Sequence, residues 1–138
     1  MTKRQCRENA FLILFEASLR DDEPEALYKA AEEVGEIEVT DRVRALVEGV
    51  LSQAEELDAI IASYSPKRAV SRIPRVNLIL LRIAIYEILN VPATPVNVAV
   101  SEAVGISQIY TYQEDTAFIN GVLGAYTRSL PKREEAAQ

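Results

Sequence analysis

The side chains available for chemistry are limited, because the 138-residue chain has no histidine and a single cysteine, Cys6. Neither a Cys/His zinc site nor a histidine-based catalytic relay can be built from this set. The 21 acidic residues are scattered along predicted helical faces, and no isolated carboxylate pair suggests general acid–base catalysis. We therefore expect no enzyme activity, no bound metal ion and no cofactor.

The side chains that remain for binding chemistry are lysines and arginines, and they are concentrated at two places in the chain. Lys3, Arg4 and Arg7 open the sequence, and residues 4 and 7 share one face of a helix. A second basic stretch precedes a strongly apolar segment and contains Lys67, Arg68, Arg72 and Arg75. The net charge of −6 argues against a protein that coats nucleic acid indiscriminately, but it leaves room for a local basic patch that binds phosphate.

Arg82 lies within the apolar segment and has two competing interpretations. Arg72, Arg75 and Arg82 recur at spacings of three and seven, so they would align along one side of a helix that started before Pro74. Alternatively, an arginine in such an apolar helix pairs with a buried carboxylate, and Glu87 or Glu102 would be its partner. The first interpretation extends a phosphate-binding track, whereas the second gives Arg82 a structural role.

Apolar residues recur at helical spacing in six segments, and nothing in the sequence is typical of a strand or a hairpin. The predicted helices cover residues 4–19, 24–34, a long third segment over 40–63, a fourth ending near 90, a fifth starting at 96, and a last over 115–129. We predict a single all-α domain over residues 1–138. Residues 130–138 are expected to form a flexible charged tail.

The apolar segment over residues 76–89 is too short and too polar to be a membrane anchor. It is interrupted by Asn77, Arg82 and Glu87, and spanning a bilayer takes about 20 residues. The basic N-terminus lacks a signal-peptide cleavage site, and a lone cysteine forms no internal disulfide. We expect a cytoplasmic protein without a membrane partner. A homodimer is also possible, because the chain has enough apolar residues to bury some of them between two copies.

Three motifs in fixed order resemble the NusB family. After the basic opening come LRIAIYE at residues 81–87, SEAV at 101–104 and FINGVL at 118–123, and their spacing covers nearly the whole chain. The resemblance implies a bundle of about seven helices that acts in transcription antitermination. Such a protein would bind boxA-type RNA together with the small-subunit ribosomal protein NusE, within the transcription elongation complex, chiefly on ribosomal RNA operons. The same fold resembles the N-terminal domain of RsmB-type ribosomal RNA methyltransferases, but too little chain follows Leu130 for a methyltransferase domain.

The resemblance also implies roles for the basic residues. Lys3, Arg4 and Arg7 match an arginine-rich motif whose members contact RNA phosphates, and Arg72 and Arg75 would extend that track. The alternative for the N-terminal group is a solvated helix end. Glu87 and Glu102 fall at matched positions and are interpreted as structural anchors, each capturing an arginine or a free amide group.

The aromatic and glycine residues near the last helix allow more than one role. Phe118 matches a family aromatic on which a base could stack, worth about 1–3 kcal/mol, but a core phenylalanine is equally consistent. Tyr110 lies in a predicted loop before the last helix. It would either stack on RNA or fill space between the packed helices. Asn120 is a candidate RNA contact or a structural residue. Together with Gly121 it is expected to serve close helix packing, because a helical glycine costs about 1 kcal/mol.

Several positive charges that are common in the family pattern are absent here. Ser101 replaces an asparagine, Ala117 replaces a basic residue, and the stretch from Gly105 to Gln108 carries no lysine. Each lost phosphate contact weakens RNA binding and flattens its salt dependence. A protein-interaction adaptor with weak or no RNA binding is therefore the alternative function.

Overall fold

The computed structural model describes residues 1–131, and in that range all regular secondary structure is helical. Seven α-helices and one short 3-10 turn at Val70–Arg72 make up the regular structure. The helices are α1 (Lys3–Leu19), α2 (Pro24–Val34), α3 (Asp41–Ser52), α4 (Ala54–Ser63), α5 (Arg75–Asn90), α6 (Val96–Tyr110) and α7 (Gln113–Ser129). The all-α prediction is confirmed. The predicted tail lies, from residue 132 onward, outside the described residues.

The predicted long third helix is wrong, because the chain breaks at Gln53 into α3 and α4. The backbone of Gln53 has φ −111° and ψ 14°, outside regular helical geometry. Its side chain exchanges two hydrogen bonds with Asn90 at the end of α5, at 3.2 and 3.0 Å. Both helices bury apolar residues in the same core, so the apolar spacing continues through the break and could not reveal it.

Helix α5 lies at the centre of the bundle and contacts α1, α3, α4, α6 and α7. Nine of its residues are buried, and Leu80, Leu81 and Ile85 are completely inaccessible to solvent. Burial of each such side chain stabilises the fold by about 1.5–3 kcal/mol, relative to leaving the side chain exposed. The surrounding helices, and the charged residues on them, are therefore positioned by their packing on α5. Within residues 1–131 no helix is both long and apolar enough to cross a membrane.

A polar cluster ties the start of α7 to α5 and to the end of α6. The Asp115 carboxylate accepts hydrogen bonds from Thr111 Oγ1 at 2.7 Å and from the buried Asn77 Nδ2 at 2.9 Å. These hydrogen bonds, the one from Thr111 first, lower the pKa of Asp115 below its ordinary value. The cluster fixes the first turn of α7, which carries Phe118 one turn later.

Candidate nucleic-acid interface

Arg7 is buried in an ion-pair cluster rather than exposed at the end of α1. Its Nε and Nη2 donate to the two carboxylate oxygens of Glu87 at 2.7 and 2.8 Å, and its Nη1 lies 3.5 Å from Glu102. The residue is 7% exposed. Carboxylates already surround its guanidinium, so the predicted contact between Arg7 and an RNA phosphate gains no support from this arrangement. Glu87 lies on α5 and Glu102 on α6, so Arg7 joins three helices.

Arg4 and Lys3 lie at the surface, in different surroundings. Arg4 is half-exposed, and its Nε donates to Glu102 Oε2 on α6. Lys3 is exposed and lines a small pocket of about 210 Å³ together with Arg42 of α3 and Tyr86 of α5. The two predicted phosphate contacts that remain in the N-terminal group therefore face separate depressions.

Arg82 has a structural partner, but it is neither of those proposed from the sequence. Its Nε and Nη2 donate to the two oxygens of Asp58 on α4, each at 2.7 Å. The expectation of Glu87 or Glu102 as its partner is wrong, because both carboxylates are taken by Arg7 and Arg4. The expected alignment with Arg72 and Arg75 is also wrong: α5 begins at Arg75, so Arg72 belongs to the preceding 3-10 turn.

The second basic stretch forms what we call the α4–α5 basic loop, made of Lys67, Arg68, Arg72 and Arg75. All four residues are exposed, and none forms a salt bridge with another described residue. A turn fixes the loop: Ser65 Oγ donates to the Arg68 carbonyl at 2.8 Å, and the Arg68 amide donates to the Ser65 carbonyl at 3.3 Å. These unpaired cations are suited to phosphate binding.

Phe118 lies beside this loop, on the second turn of α7. It is partly buried against the core, and the Arg68 guanidinium lies over its ring at 4.8 Å from the ring centre. Part of Phe118 therefore packs inward, as a core role predicts, and the exposed part of its ring carries the Arg68 cation. The stacking of an RNA base on this ring stays a prediction. Arg68 is absent from the site residues predicted by sequence. Its position in the basic stretch was visible, but its contact with Phe118 depends on the fold.

Tyr110 is the last residue of α6, so its predicted place in a loop is wrong. Its ring packs on Phe11 of α1 with ring centres 5.1 Å apart, and its Oη donates to Glu8. Burial and this hydrogen bond raise the pKa of Tyr110 to about 12. These contacts connect α6 to α1 and leave only part of the ring open to a ligand.

Gly121 does not serve close packing, contrary to the prediction. A Cβ atom built at this position would meet nothing within 4 Å, since the residue faces open solvent. Two glycines lie against a side chain from another helix, Gly49 against the Tyr86 ring and Gly105 against Arg4, whereas Gly124 lies against Arg128 of its own helix. Sequence reasoning missed both, because a pattern of residues does not identify which glycine a distant side chain covers.

A groove of about 960 Å³ runs between α6 and α7. Arg4 and Asn120 both line it, together with Val100, Val104 and Gly105. The structure thus brings Arg4 and Asn120 to one groove and brings Arg68 to Phe118, whereas Arg7 and Arg82 face carboxylates.

Comparison with known proteins shows similarity along nearly the whole chain. The model of the NusB family matches residues 4–128. The transcription antitermination protein NusB of Desulforamulus reducens is 38% identical over 142 aligned positions, which cover 99% of this chain and 95% of that protein. The NusB of Heliobacterium modesticaldum is 39% identical over 94% of this chain, which spans 64% of that relative's length.

Solved structures show the same fold. A complex described as antitermination factors NusB and NusE with double-stranded RNA contains a chain that is 25% identical, with a TM-score of 0.81 and coverage of 93% of this chain and 97% of that one. NusB from T. maritima is 26% identical, with a TM-score of 0.82 over 94% and 92% of the two chains. On the extent of the family match and of these identities, the chain belongs to the NusB family.

Proposed function

We propose that this protein is a transcription antitermination factor that binds boxA-type RNA together with NusE. In this role it joins the cytoplasmic transcription elongation complex and promotes processive transcription of ribosomal RNA operons, by binding and not by catalysis. The observation that carries the proposal is the near full-length similarity to proteins named transcription antitermination protein NusB. A solved complex of two such factors with double-stranded RNA contains the same fold.

The α4–α5 basic loop is the surface best suited to the RNA backbone. Its four cations are exposed and lack salt bridges within the described residues, so phosphate binding displaces no internal carboxylate. Each phosphate that such a cation neutralises releases bound counterions and makes affinity depend on salt. Beside the loop, Phe118 and Arg68 offer a ring and a planar guanidinium on which an unpaired base can stack.

The test is fluorescence anisotropy of a labelled boxA-type RNA against a scrambled RNA, with and without NusE, at two salt concentrations. We expect selective binding that tightens when NusE is present. Arg72→Ala/Arg75→Ala should weaken it and reduce the salt slope by about 1.4, since each contact to a single-strand phosphate contributes about 0.7.

The matched control is Arg20→Ala/Lys29→Ala, which removes the same charge from exposed positions at the end of α1 and on α2. If this control weakened binding equally, the effect would come from net charge and not from the basic loop. An absence of selective binding under every condition would refute the proposal.

The adaptor alternative is favoured by one observation. Arg4, Arg7 and Arg82, three of the arginines considered for RNA contact, are engaged by carboxylates in a protein of net charge −6. Such a protein would bind NusE without adding RNA affinity. The same titrations separate the two functions, and sedimentation of the free protein shows whether a homodimer covers the basic surface.

A further inference from the structure

Arg4 lies against a position on α6 that has no side chain. A Cβ atom at Gly105 would fall 2.6 Å from Arg4 Nη2, 2.7 Å from Nη1 and 2.9 Å from Cζ, closer than real contacts allow. Glu102, three residues earlier on the same helix, accepts the Arg4 Nε hydrogen bond. The guanidinium therefore rests on the backbone of α6, held at one edge by a carboxylate. We call Glu102 and Gly105 the Arg4 seat.

The seat leaves the other edge of the guanidinium available. Among residues 1–131 neither Nη1 nor Nη2 of Arg4 makes a hydrogen bond, and Arg4 lines the groove between α6 and α7. Polar side chains along that groove include Asn97, Ser101, Gln108 and Asn120. The two NH2 groups of a guanidinium held in a fixed plane match the geometry of a phosphate group.

We propose that Gly105 and Glu102 are positioning residues that hold Arg4 toward the groove, where it binds a phosphate of the RNA. The inference rests on the proposed function, because the phosphate belongs to the RNA partner. Without the seat, a long arginine side chain would sample many rotamers and would lose that freedom on binding. Gly105 thus determines RNA affinity although it has no side chain to contact RNA.

Gly105→Ala gives a test in which stability and binding separate. The clash falls on the far end of a flexible side chain, so Arg4 moves away while α6 stays in place. Alanine is also the better helix former, so we expect a melting temperature that is unchanged or raised by up to about 4 °C. A glycine with a purely structural role in helix packing would instead lower the melting temperature when replaced.

The binding experiment compares Gly105→Ala, Arg4→Ala and the double variant, using labelled boxA-type RNA with NusE present. We expect each single variant to weaken binding at least about tenfold, as the loss of one charge-assisted contact would, and to reduce the salt slope by about 0.7. The double variant should bind no more weakly than Arg4→Ala, because Gly105 acts through Arg4. Wild-type affinity for Gly105→Ala, or independent losses that multiply in the double variant, would overturn the inference.

A measurement without RNA tests the seat itself. The Nε–H proton of Arg4 should exchange slowly in nitrogen-resolved spectra of the wild type, and rapidly in Gly105→Ala and in Glu102→Gln. Fast exchange in the wild type would show that no seat exists. If the wild type bound no boxA-type RNA, the proposed function and the phosphate role would both fail, whereas RNA binding that ignores Gly105→Ala would overturn the seat alone.

Discussion

Removing the Arg7 guanidinium should strongly destabilise the protein, because Glu87 would be left as an unpaired buried charge. The two side chains are 9% and 5% exposed, and they share hydrogen bonds of 2.7 and 2.8 Å. Breaking such a pair by removing one partner costs about 3–5 kcal/mol. We expect Arg7→Met to lower the free energy of unfolding by about 3 kcal/mol, at the lower end because Glu102 keeps its contact with Arg4.

The assay is urea unfolding followed by circular dichroism at pH 7, with the midpoint and slope fitted together. Arg7→Met/Glu87→Leu should recover most of the loss, since no buried charge remains and apolar side chains fill the space. The matched control, Arg20→Met, removes a charge from a surface pair whose arginine is 55% exposed, and surface pairs contribute at most about 1 kcal/mol. A cost below about 1 kcal/mol for Arg7→Met, or a double variant no more stable than the single one, would refute a buried-charge penalty.

Two further predictions concern Gly49 and Asp115. Gly49→Ala should lower the free energy of unfolding by about 1–3 kcal/mol, because the new Cβ would lie 2.6 Å from Cε1 of the Tyr86 ring. Gly121→Ala should raise the free energy of unfolding by up to about 1 kcal/mol, because its Cβ enters open space and alanine is the better helix former. Thermal melts of the two variants compare them, and equal shifts would contradict the crowding argument. The hydrogen bond from Thr111 lowers the pKa of Asp115, so the stability it contributes is present above its ordinary value of 3.8 and is lost as the pH falls through the lower folded value. Urea melts should therefore show the gap between wild type and Asp115→Ala closing below about pH 4, and a constant gap from pH 7 to 3 would disprove the linkage.

Most of the fold could be predicted from the sequence, because apolar spacing and helix ends are local signals. Thr2 and Gln5 form a capping box at the start of α1, and Pro24 occupies the first turn of α2. The break at Gln53 could not be predicted in this way. The side chain of Gln53 at the break bonds to Asn90, which lies 37 residues away and reaches Gln53 only after folding.

The candidate site was less predictable, because its character depends on which charges meet. Local sequence places Arg7 and Arg82 on helices, but the rotation of those helices decides whether each arginine faces solvent or a carboxylate. The partner of Arg82, Asp58, is 24 residues away, and the partner of Arg7, Glu87, is 80 residues away. The role of Gly105 was the hardest to predict from the sequence. It depends on the lack of a side chain beneath Arg4, a residue near the other end of the chain.

The pairing of individual arginines, and not the net charge, determines where this acidic protein offers a phosphate-binding surface. At physiological ionic strength charges are screened over about 8 Å, so distant carboxylates weaken a local cation much less than a carboxylate in contact. Arg7 and Arg82 are each neutralised within hydrogen-bonding distance, whereas the α4–α5 basic loop has no such partner among the described residues. The strongest phosphate-binding surface is therefore expected beside Phe118 and not at the start of α1. Arg4 is the exception in α1, because the Glu102 carboxylate binds one edge of its guanidinium and leaves the other edge free.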